Sequence, residues 1–451
     1  MPAPSPGYES RPAYAGPLAN LVRRHLPEFE ERVAEQADRK VPGYVIDQLR
    51  ALSQCGDFTR GFVHFKCGKC DKDRVFPFVC RSKLCPSCSG RTMAERAAWL
   101  VDRVLYGEAR WRQYVITFPA PLAVGLCFRE ALAKAVTRVC MRVLFEYQKA
   151  RADPHAQGTP RPGAVVWVQR FSDGAGSWLH LHVLAPDGVF RQLPDSLDVP
   201  FEPQPPPNSQ EVTDLVRTIA TRVDGLLRRR APAAPDDPLL ERCAAQTPVA
   251  LRHPAPAPAR ARAPNPLRAE DAEFTLHAAT STPPNCTEQL ERLCRYMARP
   301  PIPNGRLRIL DDDRVEFTLK RPRRGVRKLI FDPIAFLGRL AALIPRPKTN
   351  SVLYFGCLSA ASPIYRAVVP APPDPTPTHP VAPPRPAVMP HAHLLLRVFL
   401  IDVLACPCGG RLRVVQTVTD PDVVQAILAG IILSNQAPPR APPAARVACP
   451  P

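Results

Sequence analysis

Two pairs of cysteines near the start of the chain have the spacing of a metal-binding site. They are Cys67-Gly-Lys-Cys70 and Cys85-Pro-Ser-Cys88, with 14 residues between them. A C-x-x-C turn points two thiolates at one ion, and two such turns complete a tetrahedral zinc shell with Zn–S distances of about 2.3 Å. The doubled spacing predicts one structural zinc ion held by these four residues. Four buried free thiols or a redox pair are the alternatives.

Other potential ligands lie in the same block. Cys80 and Cys55 are further zinc candidates: Cys80 could replace one of the four residues, or a second metal could be held, and His64 is a spare ligand. Basic residues crowd the block: Lys66, Lys69, Lys72, Arg74, Arg81, Lys83, Arg91 and Arg96. A solvated charged surface would explain them, but a nucleic-acid contact surface is favoured.

A histidine pair lies in the middle of a predicted strand. Because side chains alternate across a sheet, His180 and His182 share one face about 7 Å apart and can converge on one divalent cation. Two surface histidines are the alternative. A second H-x-H pair, His391 and His393, lies at the start of a helical pattern, where residues two apart face different ways. We therefore set that pair aside.

A tyrosine lies among arginines on a predicted helix between residues 288 and 298. Tyr296 is flanked by Arg292, Arg295 and Arg299. An isolated tyrosine usually packs against apolar neighbours. Arginines around it bind phosphate oxygens and favour the phenolate, so this tyrosine is a candidate phosphate-directed nucleophile.

The composition points to a nucleic-acid partner. The 60 lysines and arginines outnumber the 41 acidic residues, which gives a formal net charge of +19. A surplus of this size favours polyanions, because each neutralised phosphate releases a counterion. No apolar run is long enough to span a bilayer and no export signal is visible, so we expect a cytoplasmic protein whose 15 cysteines are ligands or free thiols.

The sequence divides into several predicted regions, which must position these residues. With 58 prolines in 451 residues, much of the chain is expected to be linker or tail. The predicted regions are a disordered lead (1–16), a helical and zinc-binding domain (17–100), a catalytic domain (101–345) with a flexible basic insert (231–272), a C-terminal region (346–415) with a proline-rich linker (369–390), and a tail (416–451). Strand patterns before and after a Gly/Ser/Asp cluster predict a hairpin over 164–184.

The order of these motifs resembles a known family. A cysteine-rich zinc region, a His-Leu-His strand and Tyr296-Met-Ala-Arg-Pro-Pro301 follow one another as in the IS-ninety-one family of bacterial transposases. Further shared motifs include Gln169-Arg-Phe171, Arg339-Leu-Ala-Ala-Leu343 and Cys406-Pro-Cys408-Gly-Gly. The resemblance covers the chain from about residue 18 to residue 415.

The resemblance implies an HUH tyrosine transposase that acts on single-stranded DNA at transposon ends in the bacterial cytoplasm, in association with the nucleoid. Tyr296 would form a 5′-phosphotyrosine, and His180 and His182 would hold Mg²⁺ or Mn²⁺. Gln169 is our choice for the third ligand, with Glu288 and Gln289 as rivals. DNA contacts are expected from arginines and a lysine on the tyrosine helix and on a basic turn: Arg292, Arg295, Arg299, Lys320, Arg321, Arg323 and Arg324.

The expected fold class is α+β, with the histidines on a central strand of an antiparallel sheet and helices packed on one side. Two other functions compete: three-carboxylate transposition by Asp311, Asp312 and Asp313, and a non-enzymatic zinc-containing DNA-binding protein. Three successive acids in a turn cannot converge on one metal pair, which counts against the first. The sequence leaves open whether this copy is active or an inactive remnant, which DNA ends are bound, and whether the protein is a dimer.

Overall fold

A computed structural model describes residues 16–37, 40–194, 196, 198–230, 234–252, 267–303, 305–323, 325–369 and 402–430. Several sequence predictions fall outside these ranges. They are the lead up to residue 15, the linker from residue 370, the pair His391 and His393, Arg324, and the tail beyond residue 430.

The described residues form eleven α-helices and sixteen strands. The helices are α1 (Pro17–Ala37), α2 (Gly43–Ser53), α3 (Pro86–Arg103), α4 (Ala120–Gly125), α5 (Glu130–Ala150), α6 (Ser209–Arg228), α7 (Pro238–Ala244), α8 (Thr287–Met297), α9 (Pro333–Leu343), α10 (Tyr365–Val368) and α11 (Pro421–Gly430). The strands are β1 (Phe62–Cys67), β2 (Asp73–Pro77), β3 (Trp111–Thr117), β4 (Thr159–Arg161), β5 (Gly163–Phe171), β6 (Ser177–Pro186), β7 (Gly188–Gln192), β8 (Phe201–Pro203), β9 (Ala250–Arg252), β10 (Arg268–Asp271), β11 (Phe274–Thr282), β12 (Leu307–Ile309), β13 (Val315–Arg323), β14 (Val326–Phe331), β15 (Val352–Gly356) and β16 (Leu412–Val418).

A six-stranded antiparallel sheet forms the centre of the fold. Its strand order is β10-β11-β3-β6-β5-β15, and every neighbouring pair is antiparallel. The predicted hairpin over 164–184 is confirmed as β5 and β6. Strand β6 lies inside the sheet, with β3 on one side and β5 on the other. The predicted α+β class and the central position of the histidine strand are confirmed.

Helices cover both faces of this sheet, so the expectation of helices on one side was wrong. Leu181 and Val183 of β6 point into a core that they share with α5 and α6. Leu184 points to the opposite face, into a core that it shares with α3 and α8. From Leu179 to Pro186 every residue of β6 is buried, and a strand buried on both faces requires a layer on each.

A small second sheet joins the two ends of the described chain. Its order is β16-β1-β2, and β1 pairs antiparallel with β16 from Phe62 opposite Val418 to Cys67 opposite Leu412. Phe62 and Val418 form an apolar cluster with Val424 of α11. The start of the predicted tail is therefore folded, because it supplies an edge strand and a helix to the N-terminal region.

The insert predicted over 231–272 contains folded elements: Asp237 caps α7, and Leu239 and Leu240 are buried near α9. Helix α3 begins at Pro86, because Cys85 is its N-cap and proline suits the first helical position. Lys320 and Arg321 of the predicted basic turn lie on a strand, because β13 continues to residue 323 and β14 starts at residue 326. No helix of the described residues is long and apolar enough to span a membrane.

A buried ion pair ties three strands together. Arg112 of β3 donates two hydrogen bonds to the Asp187 carboxylate, at 2.8 and 2.7 Å, and a third at 2.8 Å to the Ala278 carbonyl oxygen of β11. Both charged side chains are only 3% exposed. Asp187 directly follows β6, so the pair fixes the end of the histidine strand against its neighbours.

We expect Asp187→Ala to lower the free energy of unfolding by about 3–5 kcal/mol, because it leaves the Arg112 guanidinium buried without a counterion. Asp224→Ala is the control: it removes an exposed pair with Arg228, which is worth about 0.3–0.5 kcal/mol. Chemical denaturation of both variants measures the difference. Equal losses in the two variants would contradict the structural role of the buried pair.

Candidate active site and cysteine clusters

Helix α8 is positioned by an apolar stripe. Leu290, Leu293, Cys294 and Met297 are all buried, at the i, i+3, i+4 and i+7 spacing of one helix face. They share a core with residues of the histidine face of the central sheet. Tyr296 lies beside this stripe and stays 43% exposed. The packing of α8 therefore brings the tyrosine to the histidine face while leaving its side chain accessible.

The two histidines and the tyrosine meet at the centre of this face. The ring centroids of His180 and His182 are 4.9 Å apart, and those of His182 and Tyr296 are 6.1 Å apart. Both histidines are buried. The sequence could place the two imidazoles on one face, but only the tertiary fold brings the phenol of a helix more than 100 residues later beside them.

Hydrogen bonds orient both imidazole rings. His180 Nδ1 lies 3.4 Å from the Trp178 carbonyl oxygen, which can only accept, so this nitrogen carries the proton. His182 Nδ1 lies 2.7 Å from the side-chain amide nitrogen of Gln113, and His182 Nε2 is buried without a hydrogen-bond partner. In this orientation the amide nitrogen donates to Nδ1. Turning the amide by 180° would place its oxygen there to accept from Nδ1–H, and Nε2 would then have a free lone pair.

Sequence reasoning missed Gln113. It is a buried polar residue of β3. A signal was nevertheless available in the sequence of β3. Gln113 lies two residues before Val115, so both side chains are on one face of the strand, and Val115 is the direct neighbour of His182 in the sheet.

Burial keeps both histidines neutral. Loss of hydration lowers the pKa of His180 to about 4, with a smaller lowering by the nearby Arg299 and an opposing effect of the Trp178 carbonyl. Burial also lowers the pKa of His182 well below its usual value, helped by His180 and Arg299. Neutral imidazole is the form that binds a metal ion, so the pair is suited to coordination at neutral pH.

Gln169 lies directly across from His180 in the strand register. Its amide nitrogen donates to the Met297 carbonyl oxygen at the end of α8, and its Oε1 is buried without a partner. The rival ligands are exposed on the first turn of α8, where Glu288 pairs with Arg292 at 2.7 Å. Of the three candidates, only Gln169 is buried on the histidine face.

Positive charges surround Tyr296. The Arg299 guanidinium lies 5.1 Å and the Lys320 ammonium 5.4 Å from the centre of the tyrosine ring. Arg295 is partly buried, Arg321 is exposed, and the side chain of Arg323 lies outside the described residues. Among the predicted DNA-binding residues whose side chains the structure describes, Arg299 and Lys320 lie over the tyrosine ring.

The cysteines form two clusters instead of the single predicted site. One contains Cys55, Cys80, Cys85 and Cys88, and the other contains Cys67, Cys70, Cys406 and Cys408. The prediction that Cys67, Cys70, Cys85 and Cys88 share one ion was therefore wrong. The first C-x-x-C pair lies at the end of β1 and on the turn that follows, next to the C-terminal segment. The second pair lies at the start of α3, near Cys55 and Cys80.

Carboxylates form no comparable site in the described part of the chain. Sets of three or more histidine, cysteine or acidic ligand atoms within 4.8 Å of one another occur there only in the two cysteine clusters. Asp312 pairs with Arg314, and Asp313 pairs with Arg24. Asp312 and Asp313 therefore point to different partners, and three-carboxylate chemistry is not supported.

Two family models match separate parts of the chain. The "Transposase zinc-binding domain" model matches residues 21–118, and the "Putative transposase" model matches residues 163–364. The first contains one cysteine cluster, and the second contains the histidine strand and Tyr296. The chain belongs to the IS-ninety-one-like transposases. It is a DNA transposase with a zinc-binding N-terminal region. No curated protein and no solved structure matches it significantly.

The transposase's N-terminal cluster is compact. The Sγ atom of Cys88 lies 3.6 Å from that of Cys55 and 3.6 Å from that of Cys80. We expect Cys88→Ala to lower the melting temperature by about 5 °C, because the free energy of zinc binding contributes to folding. Cys140→Ala, at a buried cysteine of α5 outside both clusters, is the control. Equal melting temperatures for the two variants, measured by calorimetry, would argue against zinc at this cluster.

Proposed function

We propose that this transposase cleaves and rejoins single-stranded DNA at the ends of its element through a covalent bond to Tyr296. The observation that carries the proposal is the juxtaposition of an exposed tyrosine and two neutral, buried histidines, with 6.1 Å between the Tyr296 and His182 ring centroids. The single-stranded substrate is the one that the resemblance implies, and the cations beside the exposed ring would bind the backbone of such a strand.

The site has the donors for a divalent cation. His180, His182 and Gln169 would hold Mg²⁺ or Mn²⁺, and the buried, unpartnered atoms His182 Nε2 and Gln169 Oε1 fit this role. Two imidazoles favour Mn²⁺ over Mg²⁺ in binding strength. Once bound, the ion would polarise the scissile phosphate.

Tyr296 is the proposed nucleophile. Its phenolic oxygen attacks the phosphorus, the bond from phosphorus to the 3′-oxygen breaks, and the phenolic proton is transferred to that leaving oxygen. The products are a 5′-phosphotyrosine and a free 3′-hydroxyl. Attack by a 3′-hydroxyl on the phosphotyrosine reverses the step, so rejoining needs no nucleotide. The sequence accordingly has no G-x-x-x-x-G-K-[ST] loop.

The cations near the ring support this chemistry. Arg299 and Lys320 stabilise negative charge on the phenolic oxygen and on the phosphate during attack. Lys320 is held in place by its own backbone, whose N–H donates to Asp173 at 2.8 Å. DNA-end binding is assigned to these two residues together with the other basic side chains of α8 and β13.

We expect Tyr296→Phe to abolish the covalent protein–DNA adduct, because the variant lacks the attacking oxygen. The assay incubates the protein with Mn²⁺ and labelled single-stranded oligonucleotides that carry the element's ends, followed by denaturing electrophoresis. Tyr147→Phe is the control, since Tyr147 lies on α5 on the opposite side of the sheet. An adduct formed by Tyr296→Phe at the wild-type level would refute the assignment.

Gln113 is a positioning residue in this proposal, because it contacts His182 rather than the DNA. We expect Gln113→Leu to weaken Mn²⁺ binding about 10- to 100-fold, since outer partners of metal-bound histidines have effects of that size. Calorimetric titration with Mn²⁺ measures the affinity, and excess Mn²⁺ should restore the cleavage rate. His155→Ala, at an exposed histidine, is the control. Unchanged Mn²⁺ affinity in Gln113→Leu would contradict the role.

A further inference from the structure

The second cysteine cluster joins residues from opposite ends of the sequence. Cys67 is the last residue of β1, Cys70 lies on the turn between β1 and β2, and Cys406 and Cys408 lie just before β16. The Sγ atoms of Cys67 and Cys408 are 3.5 Å apart, and those of Cys70 and Cys406 are 3.6 Å apart. The four thiols are therefore in contact across more than 330 residues of intervening chain.

The positions of the four sulfur atoms suit tetrahedral coordination of a metal ion better than they suit disulfide bonds. All four Sγ atoms lie within 4.8 Å of one another, and all four cysteines are free. The edge of a zinc tetrathiolate is about 3.8 Å when each Zn–S distance is about 2.3 Å. A disulfide requires about 2.05 Å between two sulfurs and would pair each thiol with a single partner.

The backbone around the cluster is shaped to fit it closely. Gly409 has a φ of +77°, which favours glycine, and a Cβ on Gly410 would lie 2.7 Å from Cys67 Sγ. The Gly68 N–H donates to the Arg411 carbonyl oxygen at 3.0 Å, and the Lys69 N–H lies 3.4 Å from Cys67 Sγ. The turn after β1 and the turn before β16 thus approach each other so closely that a side chain on residue 410 would collide with the Cys67 sulfur.

Apolar packing alone gives this junction little support. The buried residues of the cluster's core are Cys67, Cys406 and Leu412, with Phe65 and Leu404 among the partly buried neighbours. Two of the cysteines, Cys70 and Cys408, remain partly exposed. A core with so few aliphatic groups contributes little hydrophobic stabilisation, whereas a structural zinc site contributes folding free energy directly.

We propose that Cys67, Cys70, Cys406 and Cys408 bind a second structural zinc ion, which fastens the C-terminal segment to the N-terminal hairpin. Two of its ligands lie outside both matched regions, 21–118 and 163–364, so this site is not contained in the zinc-binding domain alone. The ion completes the sheet β16-β1-β2 at the end where Cys67 pairs with Leu412. It is independent of the histidine site and of the reaction proposed there.

The zinc content of the full-length protein tests the proposal. Mass spectrometry of the purified chain should find two zinc ions in the wild type and one in the variant Cys406→Ser/Cys408→Ser. Cys127→Ser is the matched control, because Cys127 is a partly exposed cysteine outside both clusters, and it should keep two. The same zinc content in the wild type and the double variant would overturn the second site.

A ligand-replacing variant separates metal loss from misfolding. Cys408→His retains a zinc donor, so it should keep two ions where Cys408→Ser keeps one. Limited proteolysis then tests the fastening: segment 402–430 should be cleaved at least tenfold faster in Cys406→Ser/Cys408→Ser than in the wild type or Cys408→His. Equal cleavage rates in all three proteins would overturn the fastening role even if the ion is lost.

Discussion

The arrangement of the candidate active site depends on how one helix buries its apolar stripe. Four residues of α8, from Leu290 to Met297, must leave water, and the available apolar surface is the histidine face of the central sheet. Gln169 fixes the end of the helix by donating to the Met297 carbonyl oxygen, an acceptor that the helix itself leaves free. The geometry of the candidate site is therefore a consequence of core packing: because the stripe is buried on this face, the neighbouring Tyr296 lies beside the imidazoles.

The zinc-binding region and the tyrosine helix are mechanically connected through α3. This helix begins at the N-terminal cysteine cluster, with Cys85 as its N-cap and Cys88 in its first turn. Further along, Ala97 and Leu100 of α3 share a core with Leu290 and Leu293 of α8. An ion that fixes the start of α3 thereby restrains the surface on which α8 packs. The zinc-binding region is thus part of the scaffold of the site.

Local patterns in the sequence predicted what depends on local geometry. The alternation of side chains placed His180 and His182 on one face, and the strand and turn pattern predicted the hairpin of β5 and β6, which is confirmed. Cysteine spacing identified two metal-binding turns but could not say which turns share an ion, because that depends on a contact between positions 67 and 408. The layer of helices on the second face also escaped prediction, since a continuous apolar strand was not recognised as buried on both sides. Gln113 was missed because its importance comes from one tertiary hydrogen bond.

The pairing of β1 with β16 has a consequence for biosynthesis. A ribosome releases β1 some 350 residues before its partner strand, so this edge lacks a neighbour during most of translation. Closing a loop of that size costs on the order of 5 kcal/mol of chain entropy. The hairpin that carries Cys67 can thus reach its final form only after the ribosome has released residues 412–418. Completion of the N-terminal sheet therefore waits for a strand that is made long after the hairpin itself.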